Sequence, residues 1–210
     1  APSGVEQLAA STRLAHEPQH CTFGYHRDMG ALSLLVAAPL LAASASPIWH
    51  ATITDVSGVA RIQVPGADWK IAETGGRLEQ GDTIATLELG RARLEFTDGS
   101  RVSLGPRTML KVSAPRGHRL GLSLLRGVAR FLVQHRVGGE LIVTTPTAVA
   151  AVKGTLFAIA VDGDVTEIRV AEGEVLCRDR ALRYAVLMRP GEAAQWDDRG
   201  LWKPVRRMDA

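Results

Sequence analysis

Arg91-Ala92-Arg93-Leu94-Glu95-Phe96-Thr97-Asp98-Gly99-Ser100-Arg101-Val102-Ser103-Leu104 decides the fold class. Ala92, Leu94 and Phe96 fall on one side of an extended chain, and Arg91, Arg93, Glu95 and Thr97 fall on the other. That period of two is the mark of a half-buried strand. Asp98-Gly99 then supplies two residues that tolerate positive φ, the strongest short signal for a hairpin. Alternation resumes with Val102 and Leu104 directed inward. The stretch predicts a β-hairpin whose polar face carries Arg91, Arg93 and Arg101.

The same grammar recurs. Val56-Ser57-Gly58-Val59-Ala60-Arg61-Ile62 is a strand interrupted by glycine, and Leu125-Arg126-Gly127-Val128-Ala129-Arg130-Phe131 repeats it. Ala171-Glu172-Gly173-Glu174-Val175-Leu176 is a looser third copy. Glycine inside a strand pattern marks a bulge, a corner or a close backbone approach. Three such corners predict a sheet that repeatedly folds over itself, and their irregular spacing argues against a strict repeat array. Further strands are predicted at Thr83–Leu89, Leu120–Leu125, Arg130–Gln134, Glu140–Thr145, Thr155–Val161, Val165–Val170 and Tyr184–Met188. Asp162-Gly163-Asp164 supplies another turn. No convincing amphipathic helix is visible, and the one helix-permissive stretch is Ala148–Lys153.

Composition agrees with a β domain. Hydrophobic residues make up 46% of the 210, aromatics only 5%, and there are 21 glycines. A chain of this length buries roughly 70% of the surface its unfolded form exposes, so a core needs no covalent staples. The net charge of +3 is carried by arginines scattered from Arg61 to Arg207. Nucleic-acid binders concentrate their basic residues on one helix or stripe and add stacking aromatics, so nucleic acid is not an expected partner. Contact with acidic cell-surface material stays open. Of the two cysteines, Cys21 and Cys177, only the second falls in the β-patterned region, where Val175-Leu176-Cys177 predicts a buried, inert thiol.

Residues 31–45, Ala-Leu-Ser-Leu-Leu-Val-Ala-Ala-Pro-Leu-Leu-Ala-Ala-Ser-Ala, carry no charge. The run falls short of the roughly 20 apolar residues a membrane span requires, and Pro39 interrupts it. It fits the apolar core of a signal peptide over 29–45, ending in the small-x-small site Ala43-Ser44-Ala45; the alternative is a short membrane anchor. No stable membrane span is expected. Residues 1–28 are polar and without period, and are expected to be disordered, either as upstream sequence or as the remnant of a longer chain. The expected organisation is a leader, a β domain over 46–195 and a terminal hairpin or tail over 196–210. A periplasmic or secreted bacterial location follows.

Thr144-Thr145-Pro146-Thr147-Ala148-Val149-Ala150-Ala151-Val152-Lys153-Gly154-Thr155-Leu156-Phe157 is the most informative stretch. Pro146 lacks an N–H and biases Thr145 away from helix, so a strand must end there. The stretch resembles the hallmark of the FecR family: Thr145, Pro146 and Thr147, small residues, then Lys153, Gly154, Thr155 and the aromatic Phe157. Other blocks agree in order: Gly58-Val59 with Trp69; Gly81-Asp82-Thr83; Asp98-Gly99-Ser100 with Leu104-Gly105-Pro106; Leu125-Arg126-Gly127; Ala171-Glu172-Gly173; and Pro190-Gly191-Glu192. The resemblance covers about residues 53–195. It implies an all-β, twisted, solenoid-like roll of short antiparallel strands with glycine corners, in which the signature residues are mainly structural. It also implies work by protein–protein contact, since regulators of this family relay an outer-membrane signal to a cytoplasmic sigma factor. With no helical domain before the apolar run and little chain after the roll, the expectation is a free-standing exported member.

No catalytic set is legible. His50, His118 and His135 lack metal-ligand spacing, Asp162-Gly163-Asp164 lacks the alternating ligands of a calcium loop, and Ser100 and Ser103 have no nucleophile elbow. No cofactor, metal or enzymatic activity is expected. Trp196 and Trp202 flank Asp197-Asp198-Arg199-Gly200 in a predicted hairpin. Their rings either cap one end of the roll or form an aromatic contact site. Candidate contact residues are therefore Arg91, Arg93, Arg101, Trp196 and Trp202, with an envelope protein as partner. The alternative function is structural, or binding of a glycan such as peptidoglycan.

Overall fold

The computed structural model describes residues 50–113, 119–135, 139–181 and 183–207. The expected leader, residues 1–28 with Cys21, and His118 lie outside the described residues. Every regular element among those described is a β-strand, and there are 17. The all-β reading holds.

The first eight strands alternate between two sheets. β1 (Ala51–Ser57), β4 (Arg77–Leu78), β6 (Arg91–Phe96) and β7 (Arg101–Leu104) enter a first sheet in the order β4-β1-β6-β7. β2 (Ala60–Gln63), β3 (Lys70–Ile71), β5 (Thr83–Thr86) and β8 (Met109–Ser113) enter a second, in the order β3-β2-β5-β8. The β6–β7 hairpin is the one read from the sequence: Ala92, Leu94, Phe96, Val102 and Leu104 are buried, and Arg91, Arg93 and Arg101 are exposed. Its turn closes with the Gly99 amide donating to the Phe96 carbonyl at 2.8 Å.

β9 (Arg119–Leu132) belongs to both sheets. Its first half pairs with β8, and its second half, from Gly127 onward, pairs with β7 and β12 (Leu156–Asp162). The change of sheet occurs at Gly127, whose φ of +87° and missing Cβ are both required: a side chain there would lie 2.5 Å from Thr108 Cα. Leu120–Leu125 and Arg130–Gln134 were expected as separate strands. They are one 14-residue strand because the glycine bends the backbone without ending its pairing. Gly58 and Gly173, the other corners expected from sequence, also sit at positive φ between strands of different sheets.

The remaining strands form hairpins that alternate in the same way. β10 (Glu140–Thr144) and β11 (Ala148–Val152) extend the second sheet beside β9, with β10 parallel to β9 where the expectation was antiparallel throughout. β12 and β13 (Val165–Glu172) extend the first. β14 (Val175–Asp179) and β15 (Ala185–Met188) return to the second, and β16 (Glu192–Asp197) and β17 (Gly200–Arg207) to the first. The helix-permissive stretch at Ala148 is a strand, because Ala148, Ala150 and Val152 alternate into the core and its ladder partner β14 is already extended.

One apolar core draws on both sheets. At its centre Phe131 of β9 stacks on Phe157 of β12, with ring centroids 4.8 Å apart and planes 12° apart. Burying each ring is worth roughly 1.5–3 kcal/mol, and the stack adds about 1 kcal/mol.

Candidate functional site

The outward face of the first sheet carries an ordered row of arginines. Register places Arg93 opposite Ser103, Ser103 opposite Arg130, Arg130 opposite Ala158 and Ala158 opposite Arg169. Arginines thus stand on every second strand, roughly 9–10 Å apart, with small residues between them. The spacing avoids placing like charges directly opposite each other, which would destabilise the ladder. All three side chains are exposed. Arg91 stands two residues before Arg93 on the same face, and Arg101 lies beside Glu95 on the next strand.

The charges are partly compensated. Arg93 lies 4.0 Å from Asp55, Arg101 Nε donates to Glu95 at 3.1 Å, and Arg169 Nε donates to Glu167 at 2.6 Å. Such solvent-facing pairs contribute at most about 1 kcal/mol each. Arg91 and Arg130 have no acidic partner among the described residues. They line a shallow depression of about 520 Å3 with Arg93, Asp55, Ser57, Ser103, Gly105 and Val128. Two guanidinium groups without counter-charges, over a floor of small residues, can receive carboxylates or other anions.

Sequence reasoning found Arg91, Arg93 and Arg101 but not Arg130 and Arg169. The repeated Gly-Val-Ala-Arg pattern held a signal for Arg130. Its alignment with Arg93 depends on pairing between residues far apart in the chain.

The signature stretch is built into the fold. Thr145 and Thr147 flank Pro146 at the β10–β11 turn, and both are buried. Gly154, at φ +67°, turns the chain from β11 to β12. Thr155 is also buried and exchanges backbone hydrogen bonds with Val133 at 2.9 and 3.2 Å. Phe157 is in the central stack. Lys153 is exposed.

Trp196 is not a contact residue. It is 1% exposed and belongs to the core, because β16 turns it inward beside Ala194. Trp202 lies on β17, and its side chain is outside the described residues. Cys177 is buried as expected, with Sγ 3.4 Å from Met188 Sδ, and burial pushes its pKa up to about 12. His50 is half-buried and His135 exposed. No three His, Cys, Asp or Glu side chains converge as metal ligands among the described residues.

Residues 82–176 match the family described as FecR protein. The chain carries a FecR domain. The matched span runs from β5 into β14, so it contains β9, the signature stretch and the whole arginine row. This FecR domain is similar in fold to a candidate anti-sigma factor from Parabacteroides distasonis ATCC 8503, seen in two crystal structures. Each gives a TM-score of 0.54 at 19% identity and covers 61% of this chain. The FecR-domain chain spans 60% of the length of those chains. At this identity the likeness is one of fold alone. No curated protein matches the chain in sequence.

Proposed function

We propose that this FecR-domain protein is a non-enzymatic module of the cell envelope that acts by protein–protein contact in signalling linked to sigma-factor regulation. The observation that carries the reading is the in-register row Arg93, Arg130 and Arg169 on an exposed sheet face within a FecR domain. The anti-sigma description of the structural neighbour supports the same direction. The hairpins that alternate between two sheets support a solenoid-like roll, a shape that displays long flat faces for docking.

The contact surface is Arg91, Arg93 and Arg101 with Arg130, and its partner is an envelope protein with an acidic surface. Electrostatic matching of this kind sets partner choice and association rate more than affinity. The uncharged run at 31–45, ending in Ala43-Ser44-Ala45, supports export to the periplasm or beyond. No helix among the described residues is long and apolar enough to cross a membrane.

The test is photo-crosslinking from position 103 in the native cell, comparing the parent with Arg91→Glu, Arg93→Glu and Arg130→Glu combined. The parent captures an envelope protein, and the triple variant loses it while keeping its unfolding midpoint. Capture that survives the triple reversal refutes the reading. Pelleting with purified peptidoglycan that the same variant abolishes would favour a glycan-binding role in its place.

A further inference from the structure

Each sheet ends in two edges, and the described residues leave them unequally open. β3 and β4 are two residues long, too short to template a partner strand. β17 carries Pro204, which has no N–H to offer a ladder. β15 has neither protection. Among the described residues it pairs only with β14, Cys177 opposite Val186 and Val175 opposite Met188. The Asp179 amide donates to the Tyr184 carbonyl at 3.1 Å, which fixes the phase of the ladder. Val186 and Met188 therefore turn their backbone groups to β14, and Ala185 and Leu187 turn theirs outward.

The surroundings of this edge select what can join it. Leu187 continues a row formed with Leu176, Ala151 and Ile142 on the outward face of the second sheet, all half-buried or exposed. Arg178 stands opposite Ala185, exposed and without an acidic partner among the described residues, so its guanidinium can reach over the small alanine. We infer that β15 is a docking edge that accepts an extended acidic segment of a partner protein as an added strand. Backbone groups of Ala185 and Leu187 supply the ladder, Leu187 covers an apolar residue, and Arg178 meets a carboxylate. A second copy of the chain fits less well. The two-fold register that uses both outward residues sets Arg183 of one copy against Arg189 of the other.

This inference does not depend on the arginine row of the first sheet. The probe is a synthetic nonapeptide of alternating valine and threonine with two glutamates at each end, titrated into the isotope-labelled full chain. Saturable shifts are expected at the Ala185 and Leu187 amides. A lysine-ended peptide binds at least about tenfold more weakly, and Arg178→Glu reverses that order. Leu187→Pro abolishes binding, and Leu187→Ser, which removes the apolar cover without adding charge, weakens it in a chain whose unfolding midpoint is retained. Reversal of Arg93 and Arg130 leaves peptide binding intact, so failure of either reading can be told from failure of the other. Unshifted edge amides, equal affinity for both peptides, or a dimer in sedimentation that Leu187→Lys dissociates would each overturn the proposal.

Discussion

Thr147 donates its hydroxyl hydrogen to Thr166 Oγ1 over 2.8 Å, tying the β10–β11 turn of one sheet to strand β13 of the other. Thr166 in turn lies 2.9 Å from Thr145 Oγ1, and Thr145 donates to the Ala148 carbonyl at 3.0 Å. Each hydroxyl has one hydrogen, so the three form a single directed chain ending on a backbone carbonyl. All three residues are buried. Thr166→Val keeps the shape and removes the middle link, leaving Thr147 only the more distant Trp196 carbonyl, at 3.3 Å, as acceptor. Urea unfolding is expected to show a loss of about 1–3 kcal/mol; an unchanged midpoint would contradict the linkage.

The corner at Gly127 should tolerate no side chain. Gly127→Ala adds left-handed strain to a contact with Thr108, and a loss of about 2–4 kcal/mol is expected. Gly163 at the β12–β13 turn also has positive φ, +54°, but nothing lies within 4 Å of its missing Cβ. Gly163→Ala should cost only about 1 kcal/mol. Equal losses in thermal unfolding would show that crowding at Gly127 is not what matters.

Cys177 gives a signature at high pH. Its folded pKa of about 12 lies above the ordinary 9.0, so the fold favours the neutral thiol. The associated stability is complete below pH 9 and is lost as pH rises towards 12. In a Cys21→Ser background, a thiol reagent should label Cys177 only after unfolding. Cys177→Ala should flatten the alkaline loss of stability while costing about 1–2 kcal/mol at neutral pH. Rapid labelling of native protein at pH 7 would refute the assignment.

Asp179 acts at the other end of the scale. Burial alone would raise its pKa, but the Tyr184 amide at 2.8 Å and the Arg183 guanidinium at 2.8 Å outweigh burial and hold the carboxyl below its usual range. Its contribution is present above the ordinary value of about 3.9 and disappears as pH falls through the depressed folded one. Asp179→Asn should therefore be less stable than the parent at pH 6, with a shallower decline between pH 5 and pH 2. Parallel acid profiles would exclude the role.

What the sequence revealed was local. The β6–β7 hairpin could be read because alternation and turn chemistry both lie within fourteen residues. Gly58, Gly127 and Gly173 were legible as corners because a glycine inside an alternating pattern has few other uses. Ala148–Val152 was ambiguous, since alanine suits a helix and only the ladder to β14 makes it a strand. β3 and β4, at two residues each, fall below any periodic signal.

The site was less legible than the fold. Alternation placed Arg93 on the solvent-facing side of its strand, but its alignment with Arg130 is set by the β6–β7 and β7–β9 registers. For Trp196 the sequence left a covering ring and a contact residue both open, and only the pairing of β16 with β13 shows that its ring turns inward.

Among the described residues, no strand from β1 to β8 pairs with any strand from β10 to β17; every ladder between the two groups passes through β9. From β2 onward, each new strand therefore finds its neighbour either already laid down or in the hairpin it is about to close. Assembly can proceed from the amino end as the polypeptide emerges from a ribosome or a membrane pore, without waiting for distant sequence. The first eight strands form a platform, β9 caps it, and the later hairpins are added in the order of their synthesis.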